Sequence, residues 1–302
     1  MEIDLRWLAS LPASGLHAAD ALRRGRCLAE TPLASAIAGP AERLIEEVRQ
    51  AALPEERLWE HLVALSAEAD DSRRLAEIVL QKTVGHGPRA SAPLATIAGP
   101  LAALQSAVRR AMPDLLEQVA AWVQPLMDRW NLLGTGLLDT MTQYAEPGLM
   151  VAHAGIVVLY PALGGGGCAH LWYNTARIEA VPEEPVPDVP EVVRLAWLVS
   201  QLHTDLPVYS ETIPRDRLPA LAAAAMLPVA LAAAQEFRLI APGPLPIIRA
   251  LGAWAPAAPQ GIDLAEVIRA WWETYLETRP AWNVALGALN GMLYAGELQA
   301  CR

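Results

Sequence analysis

Two long stretches without Asp, Glu, Lys or Arg place the strongest constraint on how this chain folds. They cover residues 147–176 and 218–234. A stretch of this kind is buried either in a protein core or in a membrane. The first is divided by Pro161 and a run of glycines, and the second is rich in alanine, which contributes little to membrane insertion. Both are therefore predicted to be core elements of a soluble protein.

The composition excludes several classes of protein. The hydrophobic share of 53% in 302 residues excludes intrinsic disorder. The formal net charge of -10 argues against nucleic acid, whose binding needs clustered basic charge. The 3 cysteines lie far apart, so they predict neither a set of disulfides nor a zinc site. The N-terminus lacks the features of a signal peptide, and a cytoplasmic location is expected.

Helical periodicity dominates the chain on both sides of its middle. Apolar residues recur every three or four positions between charged ones, as in Leu44 and Val48, and this spacing is typical of amphipathic helices. Further helices are predicted at about 191–204, 217–239, 263–277 and 282–297. The predicted fold class is mainly α, a multi-helix bundle or array.

The middle of the chain has a different character. Residues 156–160 are β-branched and aromatic, and residues 169–178 follow the glycine run at 164–167. Together they predict one small β-hairpin at about 156–178, with the glycines as a flexible connector. A helix over 151–160 is the alternative, because a short apolar run fits either structure. Because the rest of the chain is strongly helical, a helix is slightly favoured over a strand for residues 151–160.

Four regions are predicted along the chain. In the helical region 1–130, Ile-Ala-Gly-Pro occurs at 37–40 and again at 97–100, which predicts a duplicated helical hairpin with a new helix at each proline. Chance similarity of alanine-rich helices is the alternative. A pocket-forming segment, 131–180, and a proline-rich acidic linker or loop, 181–190, precede the helical region 191–302. These four regions are also compatible with a single domain.

Polar residues in the middle of the chain are the candidates for a functional site. His203 and His170 are predicted to act in acid/base catalysis, with Asp205 orienting His203. Arg177 is predicted to hold the anionic group of a ligand, because a guanidinium binds carboxylate or phosphate with paired hydrogen bonds. The other predicted ligand-binding residues are Asn174, Tyr173, Tyr209, Glu211 and His153.

These assignments have structural alternatives. His203 would then cap its helix, and His153 would be a hydrogen-bonded core residue. Arg177 would pair with Glu179, Glu183 or another internal acid. No residue is assigned to a metal, because the histidines lack diagnostic spacing. The cofactor is unknown, since the glycine run matches neither a phosphate loop nor a dinucleotide fingerprint.

The 10 tryptophans stand beside a single phenylalanine. Most are predicted to lie in the core. A protein interface is predicted for Trp7, Trp59, Trp254 and one of Trp271 and Trp272, because adjacent residues on a helix do not share a face.

These patterns predict a helical protein that binds a small polar or anionic ligand in a pocket built by residues 139–211. Whether it is an enzyme stays open, and a metal-independent lyase or transferase using histidine is the expected type. The alternative is a non-catalytic helical subunit or scaffold that assembles with a partner protein, as a homo- or hetero-oligomer. Neither hypothesis includes nucleic acid or a membrane span.

Overall fold

The computed structural model of the protein describes residues 3–29, 31–69, 71–254 and 261–295. Most of these residues are helical, and a mixed sheet of four strands lies among the helices. The predicted fold class, mainly α with many helices and a small β element, is confirmed.

The N-terminal part consists of one strand followed by a series of helices. In chain order these are β1 (Asp4–Ala9), α1 (Leu11–Arg23), α2 (Pro32–Gln50), α3 (Glu55–Leu65), α4 (Ser72–Val84), α5 (Pro88–Ser91), α6 (Leu94–Ala111) and α7 (Leu115–Met141). The side chains of Ser10, Thr31 and Asp71 cap α1, α2 and α4 by accepting backbone hydrogen bonds. Such caps satisfy amides that have no partner inside the helix.

The repeated Ile-Ala-Gly-Pro sequences lie on α2 and α6, which pack against each other. Ile37 and Ile97 are both fully buried. Pro40 and Pro100, however, lie inside their helices, so the prediction of a new helix at each proline is wrong. Each proline removes one helical hydrogen bond, and burial of apolar residues on both sides of it outweighs that loss.

The sheet has the strand order β1-β2-β4-β3. Its other strands are β2 (His153–Leu159), β3 (Gly167–His170) and β4 (Thr175–Glu179). β2 runs parallel to β1 and β4, and β3 runs antiparallel to β4. The helix favoured for 151–160 is therefore wrong, because this segment is a central strand. The hairpin predicted at 156–178 exists only as β3–β4, since β2 pairs with β1 and β4 instead.

The C-terminal part is again helical. Its helices are α8 (Glu191–Val199), α9 (Pro207–Ser210), α10 (Leu218–Glu236), α11 (Ile247–Trp254), α12 (Leu264–Thr278) and α13 (Trp282–Leu293). Among the described residues, the helical segment Arg215–Glu236 is long and apolar enough to cross a membrane. Of the most apolar 18 residues of this segment, 78% are buried inside the protein, which is typical of a core helix.

The main hydrophobic core runs through both halves of the chain, from Ile3 to Leu293. The segment between β4 and α8 contributes Val186 and Val189 to it. The division into the regions 1–130, 131–180, 181–190 and 191–302 stays a prediction.

Most of the tryptophans predicted at an interface are buried in this core. This holds for Trp59, Trp254, Trp271 and Trp272, while Trp7 is half-buried. Trp271 packs against Trp282 of α13, and Trp272 packs against Tyr144, which follows α7. The interface prediction is therefore wrong for Trp59, Trp254 and the Trp271–Trp272 pair, because these side chains are buried within the chain itself. In that pair both tryptophans are buried because α12 is covered on two faces.

The two faces of the sheet differ in chemistry. Ile156, Val158 and Ile178 lie on the face that joins the main core. Side chains alternate along a strand, so Arg177 and Glu179 lie on the opposite face, which we call the polar face. It faces α1 and the end of α3, where the apolar cluster consists of Ala13, Val157 and Leu159 with Ala67 packed against it.

Candidate functional site

Four side chains of the β3–β4 hairpin lie side by side on the polar face. Cys168 is directly opposite Arg177, and His170 is directly opposite Thr175. Opposite residues of an antiparallel pair project to the same face with their Cβ atoms about 5 Å apart. We call Cys168, His170, Thr175 and Arg177 the hairpin block.

Arg177 is the most unusual member of the hairpin block, because its side chain is fully buried and forms no ion pair with any described residue. Its Nη2 donates a hydrogen bond to Oγ of Ser66 at the end of α3, at 2.8 Å. Its Nε and Nη1 have no hydrogen-bond partner among the described residues. Burial lowers the pKa of Arg177 to about 9. At neutral pH the guanidinium is therefore charged, buried and only partly hydrogen-bonded.

Glu179 does not pair with Arg177, because its carboxylate is occupied by other donors. Its Oε1 lies 2.9 Å from Nε2 of His17 and accepts from the amides of Ala162 and Leu163 at 2.9 and 2.8 Å. Its Oε2 accepts from the amides of Gly165 and Gly166 at 2.8 and 2.9 Å. Burial alone would raise the pKa of Glu179, but His17 and the glycine amides lower it to about 2. The alternative prediction of an Arg177–Glu179 pair is wrong.

The glycine run is an ordered loop around this carboxylate. The carbonyl oxygens of Gly165 and Gly166 accept hydrogen bonds from Nη1 of the buried Arg194, while their amides donate to Glu179. Gly165 has φ +136°, and a Cβ atom there would lie 2.5 Å from Cγ of Pro185. The prediction of a flexible connector is therefore wrong, because the loop needs glycine for its conformation and its close contacts.

His170 and Thr175 add further unsatisfied groups to the hairpin block. His170 is 6% exposed, and neither its Nε2 nor Oγ1 of Thr175 has a hydrogen-bond partner among the described residues. Burial, together with the charges of Arg177, His17 and Arg24, holds the pKa of His170 well below its ordinary value. The imidazole is therefore neutral at neutral pH.

Buried polar atoms without a partner concentrate in this part of the chain. Of the 11 such side-chain atoms among the described residues, 6 belong to residues 170–177. Besides the atoms already named, they include Nε1 of Trp172 and Oδ1 of Asn174. Native proteins leave few such groups, because each one costs about 1–3 kcal/mol. Residues 170–177 therefore hold most of the buried side-chain atoms that lack a hydrogen-bond partner among the described residues.

Cys168 connects the hairpin block to solvent. The residue is exposed, although burial by the surrounding protein raises the pKa of its thiol. The charges that act on it come from Arg24 and Asp20 at the end of α1, from Arg177, and from Glu60 on α3. We call the space beside Cys168, between β3 and the helices α1 and α3 that carry these charges, the recess.

Glu60 of α3, whose charge acts on Cys168, has a carboxyl group with an unusual pKa. Burial raises the pKa of Glu60 to about 7, although the positive charges of Arg215, Arg57 and Arg24 oppose the shift. A carboxyl group that titrates near neutral pH is suited to donate or accept a proton. Glu60 is therefore an additional candidate for acid/base chemistry.

His203 and Asp205 follow α8 in the chain. Nδ1 of His203 lies 3.1 Å from the carbonyl oxygen of Gly148. Burial raises the pKa of Asp205, and the charges of His203 and Arg215 oppose this shift. Within the described parts of the chain, no hydrogen bond or ion pair joins His203 to His170 or Arg177. The catalytic roles of these histidines and of Asp205 stay predictions.

Two of the remaining predicted residues lie next to the hairpin block. The hydroxyl of Tyr173 lies 2.6 Å from Nδ1 of His61. Asn174 has φ +47°, and its Nδ2 donates to the carbonyl oxygen of His153 at 2.8 Å. His153 is exposed at the start of β2. The alternative of a core histidine is therefore wrong, because the strand only becomes buried after this position.

Tyr209 and Glu211 lie apart from the hairpin block. The hydroxyl of Tyr209 donates to a carboxylate oxygen of Glu146 at 2.7 Å, and Glu211 is exposed. Among the described residues, neither side chain forms a hydrogen bond with Arg177. Their part in ligand binding stays a prediction.

Several residues of the site were not among the predicted ones: Cys168, Thr175, Ser66, His17 and Glu60. The alternation of polar Thr175, Arg177 and Glu179 with apolar Ala176 and Ile178 was a usable signal for a strand with one polar face. No such signal existed for Ser66 and His17, which reach this face only through tertiary packing.

Comparisons with protein-family models, with curated proteins and with solved structures found no match. In the described part of the chain, no group of three or more His, Cys, Asp or Glu side chains is placed to hold a metal ion.

Proposed function

We propose that the protein binds a small anionic ligand, of the carboxylate or phosphate class, at Arg177. The ligand would occupy the recess between the polar face of the sheet and the helices α1 and α3. One observation carries the proposal: a fully buried guanidinium has two unpaired nitrogens directly opposite the exposed Cys168. A buried charge without a partner is costly, and an anion would supply the missing partner.

Arg194 shows what a structural buried arginine looks like in the same protein. It is also fully buried and its Nε also lacks a partner, but its two Nη atoms donate to the carbonyl oxygens of Gly165, Gly166 and Glu179, and it forms an ion pair with Glu191. Arg177 has one hydrogen bond, to Ser66. The contrast between two equally buried arginines supports a ligand, rather than the fold, as the purpose of Arg177.

The neighbours of Arg177 are suited to an oxyanion. Ser66 holds one end of the guanidinium and leaves Nε and Nη1 free to donate. The hydroxyl of Thr175 lies on the same face and also lacks a partner. Hydrogen bonds between a cation and an anion contribute about 1.5–3 kcal/mol each. This donor set favours a compact anion with several acceptor oxygens.

Acid/base chemistry on such a ligand would use groups of the recess. We expect Glu60 or His170, rather than His203, to exchange a proton with the ligand, because the charge of Glu60 acts on Cys168 and the charge of Arg177 acts on His170. A metal-independent lyase or transferase is the corresponding enzyme type. A reducing compartment such as the cytoplasm suits the free thiols of Cys27 and Cys168.

Assembly with a partner protein is the alternative function. It requires a contiguous exposed apolar patch. The exposed large apolar residues lie on several elements, including Leu8 on β1, Leu132 on α7 and Ile248 on α11. Val284 and Met292 share α13. This distribution supports assembly less strongly than the hairpin block supports a ligand.

Protection of Cys168 from alkylation tests the anion site. At an inorganic phosphate concentration ten times its Kd, neutral iodoacetamide should modify Cys168 about tenfold more slowly, because only about a tenth of the sites stay empty. The rate is measured by mass spectrometry of the peptide that contains Cys168. The exposed Cys27 serves as the internal reference and should react at an unchanged rate.

Two arginine variants complete this experiment. Arg177→Met should abolish the protection, whereas Arg249→Gln, at an exposed arginine on α11, should leave it intact. Equal protection of Cys168 and Cys27, or protection that persists in Arg177→Met, would show that phosphate acts elsewhere. Acetate in place of phosphate tells a carboxylate preference from a phosphate preference.

A further inference from the structure

We propose that anion binding at the hairpin block is coupled to the uptake of a proton by His170. This inference rests on the proposed anion site and describes how pH would regulate it. Its basis is the position of His170, which is buried, lacks a partner at Nε2 and lies on the same face as Arg177.

The groups that face His170 in the unliganded protein disfavour a second positive charge. Arg177 faces it from β4, and Arg24 and His17 act on it from α1. Its own strand contributes Cys168, whose raised pKa keeps the thiol neutral. The Ser66 hydroxyl, directly after α3, accepts a hydrogen bond from Arg177, and the charges of Glu60 on α3 and Asp20 on α1 act on Cys168. The nearest carboxylate of β4, Glu179, is occupied by His17 and the loop amides.

An anion held by Arg177 would reverse this balance. It would cancel the charge of the guanidinium and offer an oxygen that accepts a hydrogen bond from Nε2 of His170. The imidazole would then bind a proton from solvent, with formation of an N–H bond and no other covalent change. His170 would become a second cationic donor to the ligand.

The sign of the pH dependence follows from this linkage. The pKa of His170 lies well below its ordinary value in the free protein, and a bound anion raises it. Between these two pKa values, binding takes up a proton, so affinity increases as pH falls. One coupled proton changes the affinity by about tenfold per pH unit at the steepest.

Calorimetric titration with inorganic sulfate between pH 5.5 and 7.5 tests the proposal, because sulfate stays a dianion over this range. The wild-type protein should bind sulfate more tightly as pH falls. The heat of binding should depend on the ionisation enthalpy of the buffer, with a slope that corresponds to one proton taken up. His170→Gln should show weaker binding at low pH and no dependence on the buffer.

Glu60→Gln is the matched control, because Glu60 also titrates near this range. The pKa of Glu60 is raised to about 7, so its protonation would also favour an anion at low pH. Under the proposal, Glu60→Gln retains most of the proton uptake and His170→Gln loses it. The opposite pattern would assign the proton to Glu60 and overturn the proposal.

The wild-type protein alone also gives a decisive result, so the proposal does not depend on the folding of a variant. Sulfate binding without proton uptake would overturn the coupling and leave the anion site in place. Absence of sulfate binding at every pH, together with unprotected Cys168, would overturn both the coupling and the site.

Discussion

Replacing Arg177 by methionine is expected to stabilise the unliganded protein, by about 1–3 kcal/mol in the free energy of unfolding. Methionine fills a similar volume and removes a fully buried guanidinium that has two unpaired nitrogens. The pKa of Arg177 is lowered to about 9 in the folded protein. Above this pH the buried guanidinium loses its proton, so the cost of burying its charge disappears progressively from the wild-type protein. The difference between the two proteins should therefore narrow above about pH 9.

Urea unfolding in buffer without multivalent anions measures this effect, and Arg249→Gln is the control. Arg249 is exposed and forms a surface ion pair with Asp188, so its replacement should change stability by less than about 0.5 kcal/mol. A loss of several kcal/mol in Arg177→Met would mean that the fold, rather than a ligand, needs this guanidinium.

Replacing Glu179 by glutamine is expected to have the opposite and larger effect, a loss of about 3–5 kcal/mol. The change leaves His17 and four loop amides without the carboxylate that they share. The pKa of Glu179 lies at about 2 in the folded protein, against an ordinary value of 4.5. Its stabilising contribution is therefore fully present above pH 4.5 and is lost as the pH falls toward 2.

Thermal unfolding at neutral pH should show a decrease of about 5–15 °C in the Tm of Glu179→Gln. The difference from the wild-type protein should become smaller at acidic pH, where the wild-type carboxylate is protonated as well. Glu183→Gln is the control, because Glu183 is exposed near the same loop. Equal Tm values for Glu179→Gln and the wild-type protein would contradict the structural role of this carboxylate.

The helices could be predicted from the sequence. Amphipathic spacing and caps such as Asp71 are local properties, so they are visible without a structure. Arg177 was selected because its guanidinium could bind an anion within an otherwise apolar part of the chain. The structure buries it without a pairing acid among the described residues, and its role in binding stays a prediction.

The strand pairing and most of the site could not be predicted in this way. β2 pairs with β1, which lies about 150 residues earlier in the chain. The short apolar run 156–160 carries no information about such a distant partner. The same holds for Arg177 and Ser66, which meet across 111 residues. Only the tertiary structure brings α1 and α3 to the polar face of the sheet.

The glycine run illustrates a further limit of local patterns. Consecutive glycines usually indicate flexibility, but here their amides bind Glu179 and their carbonyl oxygens bind Arg194. Whether such a run is flexible depends on the groups that surround it. Those groups include His17, which is distant in sequence.

Equilibrium dialysis with radiolabelled inorganic phosphate tests the central claim most directly. At low ionic strength, the wild-type protein and Arg249→Gln should each bind phosphate saturably at one site per chain. Arg177→Met should bind it at least about tenfold more weakly, because a charged hydrogen-bond donor is lost. Equal binding by Arg177→Met and the wild-type protein, with both folded, would contradict the claim that the buried guanidinium of Arg177 is an anion site.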